Sequence, residues 1–424
     1  MELSTGPVVW LSLALGVAML LAVFLRSGRS DFLPYLFAYF IFFGFGPAIN
    51  YALGNEIYAG IIPDKINQAC LALLLALAGV AAVALLMPIR DRLPDLSTLG
   101  RSPRKNALVP AALWTLAAYA AVILVLRGPA MITGNKLERI QLAGPLHYRY
   151  LALEICACSL YFLTRAVPSA RLPYWLNFGL YVLYCMATNE RDFLFVAFAV
   201  AMHILLLQRR RIPPKFGLAG VAFAVAATYL SAVRSGGTLN IGKALNEGST
   251  MFVDTYVMTY GESSLQLWPG QSYTEALIAI LPSALVADRP MLMYWLVDQW
   301  APGSSSGYGF SLTAEAYLNF GLLGIPFVFA AITLGHRLIL LRAGRGHVFA
   351  YASILYTVDW MYGFRGESVT FLSTLLYGAV FYAIICLGFA RVGTMSTPAQ
   401  IVSRRKPVSA PIAAAPRHPV RASG

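Results

Sequence analysis

Apolar residues in this chain come in long unbroken runs, not in the alternating or three-and-four spacing of soluble elements. Runs near 7–25, 31–53, 66–87, 108–126, 148–164, 174–188, 193–207, 216–232, 311–335, 347–363 and 367–390 stand out. Most approach or reach the roughly 17–25 residues that a helix needs to cross a bilayer. They predict an all-α fold, a polytopic transmembrane bundle of about eleven spans occupying residues 1–390. Connections are short except for 233–310, a single large outer loop. Within it Thr274–Ala287 (TEALIAILPSALVA) and Met291–Trp300 (MLMYWLVDQW) are too short or too proline-broken to span. They predict interfacial helices, with Trp268, Trp295 and Trp300 at headgroup depth. Residues 391–424, rich in Pro, Ala, Ser and Arg, predict a disordered basic tail.

Composition agrees with the pattern: 58% of the 424 residues are hydrophobic and 12% are charged. A soluble fold would need an implausibly large apolar core. The net charge of +13 would suit nucleic acid in a soluble chain, but basic and aromatic residues are not interleaved on polar segments, so that partner is excluded. The charge is a topology signal. With the N-terminus outside, the inner segments hold 22 of the 32 basic residues and three of the 19 acids, Asp31, Asp91 and Asp95. Short-loop Lys and Arg set orientation, so the tail is expected to be cytoplasmic. No basic n-region or cleavage site precedes the first run, which is therefore expected to remain a helix. Cys70, Cys156, Cys158, Cys185 and Cys386 all fall in runs and predict neither disulfide nor metal.

Ten basic residues stand outside against this preference, and five of them lie at or near span ends: Arg149, Arg191, Arg234, Arg289 and Arg365. Runs 174–188 and 193–207 are each about 15 residues, reaching roughly 22 Å of a ~30 Å hydrocarbon core. Their tip, Thr188-Asn189-Glu190-Arg191-Asp192, is expected to be recessed, where its charges need either one another or a polar ligand. Arg365, in Gly363-Phe364-Arg365-Gly366-Glu367, occupies a similarly short hinge, and Arg234 precedes a Gly pair whose amides can add anion donors. Each arginine can instead snorkel to lipid headgroups. Several guanidiniums at one membrane face suit phosphate oxygens, and a lipid-linked diphosphate fits both their charge and their depth.

The ninth run opens with Gly307-Tyr308-Gly309-Phe310-Ser311 and continues to Gly321; in it Glu315 and Asn319 share a helical face. Glu315 is either a general base or a bundle-holding ion-pair partner. His147, beside Tyr148 and Arg149, is either an acid–base group or an interfacial ring. Glu154 and Asp359 read as structural acids. No metalloprotease, nucleotide-loop or serine-elbow motif occurs, and no cofactor or metal is implied.

The spans, the large late loop, Asn189-Glu190-Arg191-Asp192, Leu281-Pro282 with Asp288-Arg289-Pro290, Ala314-Glu315-Ala316-Tyr317-Leu318-Asn319-Phe320-Gly321 and Arg365-Gly366 together resemble the Wzy-type polymerases, GT-C-like glycosyltransferases of the bacterial inner membrane. The resemblance implies a metal-independent enzyme that joins polyprenyl-diphosphate-linked oligosaccharide repeat units at the periplasmic face, for O-antigen, capsule or exopolysaccharide. It further implies a flippase and a chain-length regulator as pathway partners. Glu315, Arg191 and Arg365 are then the candidate catalytic residues, with Arg234, Arg289, Arg149, Asn319, Tyr308 and His147 as candidate diphosphate or substrate contacts. The absence of histidine from 233–310 favours polymerase over the related ligases. A flippase for an anionic lipid-linked glycan is the alternative.

Overall fold

A computed structural model describes residues 5–28, 31–55, 57, 60–89, 108–133, 136–188, 190, 192–207, 250–281, 285–286, 290–300 and 309–387. The expected span at 216–232, the tail, Arg191, Arg234, Arg289 and Tyr308 lie outside these residues. The described residues are helical, with no strand among them.

In chain order the helices are α1 (Thr5–Ser27), α2 (Leu33–Ala52), α3 (Ile66–Leu86), α4 (Leu108–Thr133), α5 (Lys136–Ala143), α6 (His147–Cys158), α7 (Tyr161–Ala166), α8 (Arg171–Thr188) and α9 (Asp192–Leu207). They continue as α10 (Thr250–Tyr256), α11 (Glu262–Leu265), α12 (Gln271–Ala279), α13 (Leu292–Trp300), α14 (Leu312–Arg342), α15 (His347–Gly363) and α16 (Ser368–Tyr382). Six segments among the described residues are long and apolar enough to cross a bilayer: Gly6–Ser27, Leu33–Ala52, Pro63–Leu86, Leu108–Met131, Leu312–Arg345 and Ser368–Ile385. Their outward faces are oily: Leu25, Val125, Leu126, Leu323 and Phe327 are all more than 70% exposed. Water would penalise such a surface, and a lipid bilayer is the solvent it fits.

Three departures from the sequence reading have local causes. The run 148–164 is broken into α6 and α7, where the Ser159 hydroxyl donates back to the Ile155 carbonyl at 2.7 Å and takes up a helix acceptor. Helix α8 has 18 residues, so it reaches about 27 Å and needs less recession of its tip than a 15-residue span would. The loop after the undescribed region is not confined to interfacial helices: all seven residues of α10 are buried, packed among α2, α3 and α14. The two interfacial segments do form helices, α12 and α13, and of the three tryptophans Trp268 is exposed while Trp295 and Trp300 pack against the core.

Two glycines shape α14. Gly321 adopts φ 65°, a left-handed conformation that costs an L side chain energy, and it kinks the helix two residues beyond Asn319. Gly79 of α3 faces Pro326, and a Cβ built on it would lie 2.2 Å from the Pro326 carbonyl oxygen. Lipid-buried helices gain contact energy from such close backbone approach. An aromatic cluster completes the core: Phe364, just after α15, stacks on Phe40 of α2 at 4.2 Å and 15°, and Phe40 and Phe329 both meet Trp360.

Gly79→Ala forces a backbone shift because the obstacle is a carbonyl and not a flexible side chain. We expect it to destabilise the full-length protein in micelles by ~1–3 kcal/mol. An unchanged thermal midpoint would contradict the α3–α14 approach.

Candidate functional site

The short turn between α15 and α16, residues 363–368, carries Arg365 and is bonded by Glu315, which Asn319 supports. The stacked Phe364 anchors it in the core, and two backbone bonds shape it, Arg365 N to the Tyr362 carbonyl and Gly366 N to the Gly363 carbonyl. One flank of the turn carries Arg365. The other carries Glu367 and Ser368.

On the Ser368 flank lies Glu315, in the first turn of α14 and 1% exposed. Its Oε1 accepts from the Ser272 and Ser368 hydroxyls, both at 2.6 Å, and its Oε2 accepts from the Ser368 amide at 2.7 Å. Asn319, one helical turn on, donates to the Glu315 carbonyl at 2.7 Å and to Ser272 Oγ at 2.8 Å, and accepts from the Ser272 amide at 3.3 Å. The two residues that share a face in the sequence thus bind α12 and α16 to α14. Hydroxyls and an amide, not a guanidinium, satisfy the acid. Both carboxylate oxygens are already committed to the protein itself. Just before α14, Ser311 caps the helix by accepting from the amides of Thr313 and Ala314, and it donates to Asp254 Oδ1 of α10 at 2.9 Å. Burial pushes the Asp254 carboxyl up to about 7.

On the Arg365 flank, Tyr362 lies within the electrostatic reach of Asp192, Glu190 and Arg365. The α8–α9 tip and the α15–α16 turn, read from the sequence as separate sites, therefore meet over one tyrosine. His147 joins the same end of the bundle. It is 1% exposed, with Nδ1 2.9 Å from Tyr184 Oη and Nε2 3.6 Å from Glu190 Oε1. It is a buried ring, not a surface one. Arg365 is partly exposed, and its Nε is buried without a hydrogen-bond partner. Arg149, two residues after His147 on α6, is exposed.

Sequence reasoning missed two groups. Glu367 is 2% exposed; its Oε2 accepts from the Leu292 amide at 2.8 Å, while Oε1 has no partner. Burial, and then the charge of Glu315, push its carboxyl up to about 8. A position directly ahead of an apolar run, where a helix cap falls, was the available signal. The second group lies at the opposite end of α14, 22 residues from Glu315 and beyond the Gly321 kink. There Arg337 makes a two-pronged ion pair with Asp31, both fully buried, and His336 bonds Thr357 at 2.9 Å. Glu154 is structural, accepting from Asn177 at 2.6 Å. No group of three or more His, Cys, Asp or Glu among the described residues is arranged to hold a metal ion.

A raised carboxyl pKa has a definite sign in stability. Between about pH 4.5 and about 8 folded Glu367 keeps a proton that the unfolded chain releases, so stability is greatest below that window and is lost as pH rises through it. Asp254 adds to the same slope at its lower end. We expect the thermal midpoint in detergent to fall from about pH 5 to about pH 8.5, and Glu367→Gln, which retains an acceptor for Leu292, to flatten the upper part of that fall. An identical slope in the variant would contradict the buried, proton-holding Glu367. No family model, curated protein or solved structure matches this chain.

Proposed function

We propose that this chain polymerises polyprenyl-diphosphate-linked oligosaccharide repeat units at the periplasmic face of a bacterial inner membrane, with the N-terminus periplasmic and the C-terminus cytoplasmic. The growing glycan leaves its diphosphate carrier and passes to a sugar hydroxyl of a second lipid-linked unit. A chain-length regulator and a flippase of the same pathway are the expected partners.

The observation that carries this reading is Arg365: a partly exposed guanidinium, on a turn anchored by stacked Phe364, with an unpartnered Nε beside the tip that bears Glu190 and Asp192. A guanidinium with donors to spare at the end of apolar helices is suited to neutralising a departing diphosphate. Arg191 and the outer-loop Arg234 and Arg289 are the further basic groups of this reading, with Tyr308 as a substrate contact. A flippase would carry cations through the bundle interior. Arg337, buried at the opposite end of α14, is already neutralised by Asp31, and this favours chemistry at one face.

Arg365→Ala is expected to lower chain extension by ~10²–10³-fold, the effect of losing one transition-state charge partner. Expression and insertion should be unchanged. The readout is the glycan profile of cells carrying the variant in place of the wild type. Loss of long chains with single repeat units retained is the expected result. Normal long chains would overturn the site. Total loss of glycan would indicate a flippase, and accumulation of lipid-linked polymer a ligase.

A further inference from the structure

Beside the Glu315 cluster is a cavity of about 250 Å³ whose walls come from α12, α13 and the first residues of α16. It is smaller than the ~300–1,000 Å³ pockets that hold drug-sized ligands. Its polar lining is Gln271, Ser272, Glu275, Glu315, Glu367 and the Trp295 ring, over an apolar floor that includes Leu267 and Val369. No lysine or arginine lines it. With carboxyl groups and no cation in its lining, the cavity has nothing to offset the charge of a diphosphate, unlike the Arg365 flank.

Most of these polar atoms are already satisfied. Glu315 accepts from both Ser272 and Ser368, and Gln271 donates to Glu275 at 2.8 Å. Two atoms are not: Oε1 of Glu367, a residue 2% exposed, and Nε1 of Trp295, both buried and without partners. One is a carboxyl oxygen and the other an obligate N–H donor. A buried polar atom without a partner carries a desolvation cost that a ligand can remove. A hydroxyl both donates and accepts, so it answers a carboxyl oxygen in either protonation state and an indole N–H equally. A ring bearing several hydroxyls also presents C–H faces to an aromatic and aliphatic floor.

We infer that this cavity is a subsite for one neutral sugar ring, whose hydroxyls bond Glu367 Oε1 and Trp295 Nε1. That the ring belongs to the acceptor repeat unit rests on the polymerase reading; the binding itself does not. In that setting the turn 363–368 divides the two substrates, with the diphosphate on its Arg365 flank and the hydroxyl-bearing sugar on its Glu367 flank. Burial and Glu315 raise the Glu367 carboxyl to about 8, so near neutral pH it holds a proton that it can donate in a hydrogen bond to a hydroxyl oxygen.

The test uses the full-length protein in lipid nanodiscs and saturation-transfer NMR, with methyl glucoside, methyl galactoside, methyl mannoside and N-acetylglucosamine as probes. At least one should receive transfer. Its affinity should fall roughly ten- to a hundredfold in Glu367→Ala and in Trp295→Phe, the latter keeping an apolar ring but losing the N–H. Inorganic pyrophosphate should bind these two variants as it binds the wild type and should lose affinity in Arg365→Ala. No transfer from any probe, transfer indifferent to both cavity variants, or displacement of the sugar by ammonium ion alone would overturn the subsite. The two proposals fail separately. Sugar binding that depends on Glu367, in a protein whose deletion leaves long chains intact, would sink the polymerase and keep the subsite. Loss of long chains on deletion without such binding would do the reverse.

Discussion

A carboxylate buried where helix ends meet is costly unless every oxygen is engaged, and Glu315 meets that condition by drawing three helices together. Ser272 brings the N-terminus of α12, and Ser368 brings that of α16 with both its hydroxyl and its amide. Removing one partner would leave a buried charge uncompensated, so the arrangement tolerates little slack. Asn319 repeats the contact to Ser272 one turn along, and the Gly321 kink lies two residues beyond it. The position of the α15–α16 turn follows from this knot on one side and from the Phe364–Phe40 stack on the other.

With both sides of the turn fixed, its side chains are presented in opposite senses. Arg365 joins Tyr362, Asp192 and Glu190, while Glu367 lines an acidic cavity with Trp295. A guanidinium stands on the first flank, and carboxyl groups without a cation line the second. The Asp31–Arg337 pair plays a different part. It closes the far end of α2 and α14 with a bidentate contact whose guanidinium and carboxylate offset each other's burial.

Much of this was legible in the sequence for a plain reason: lipid imposes length and apolarity on any crossing helix, and runs such as 66–87 and 108–126 carry that constraint in their composition. The Glu315–Asn319 face was legible because a helix places residues four apart together. Their partners were not, since Ser272 and Ser368 are ordinary serines brought near by tertiary packing. Burial of α10 was invisible because TMFVDTY is short and half polar. The meeting of Asp192 with Tyr362 joins residues 170 positions apart, which no local pattern encodes. The Asp31–Arg337 pair left a trace that charge counting recorded without interpreting: Asp31 is one of just three acids in the segments that the count assigned to the side with 22 basic residues.

The central claim is that Glu315 holds the α12 start and the 363–368 turn together, and hydrogen exchange reads this directly because the Ser368 amide donates to Glu315 itself. In the full-length protein in nanodiscs, Glu315→Ala should speed exchange at Ser368 and Ser272 together, and leave the amides of α3 and those around Arg337 unchanged. Protection at Ser368 and Ser272 that survives the substitution, or that is lost at only one of them, would contradict the account.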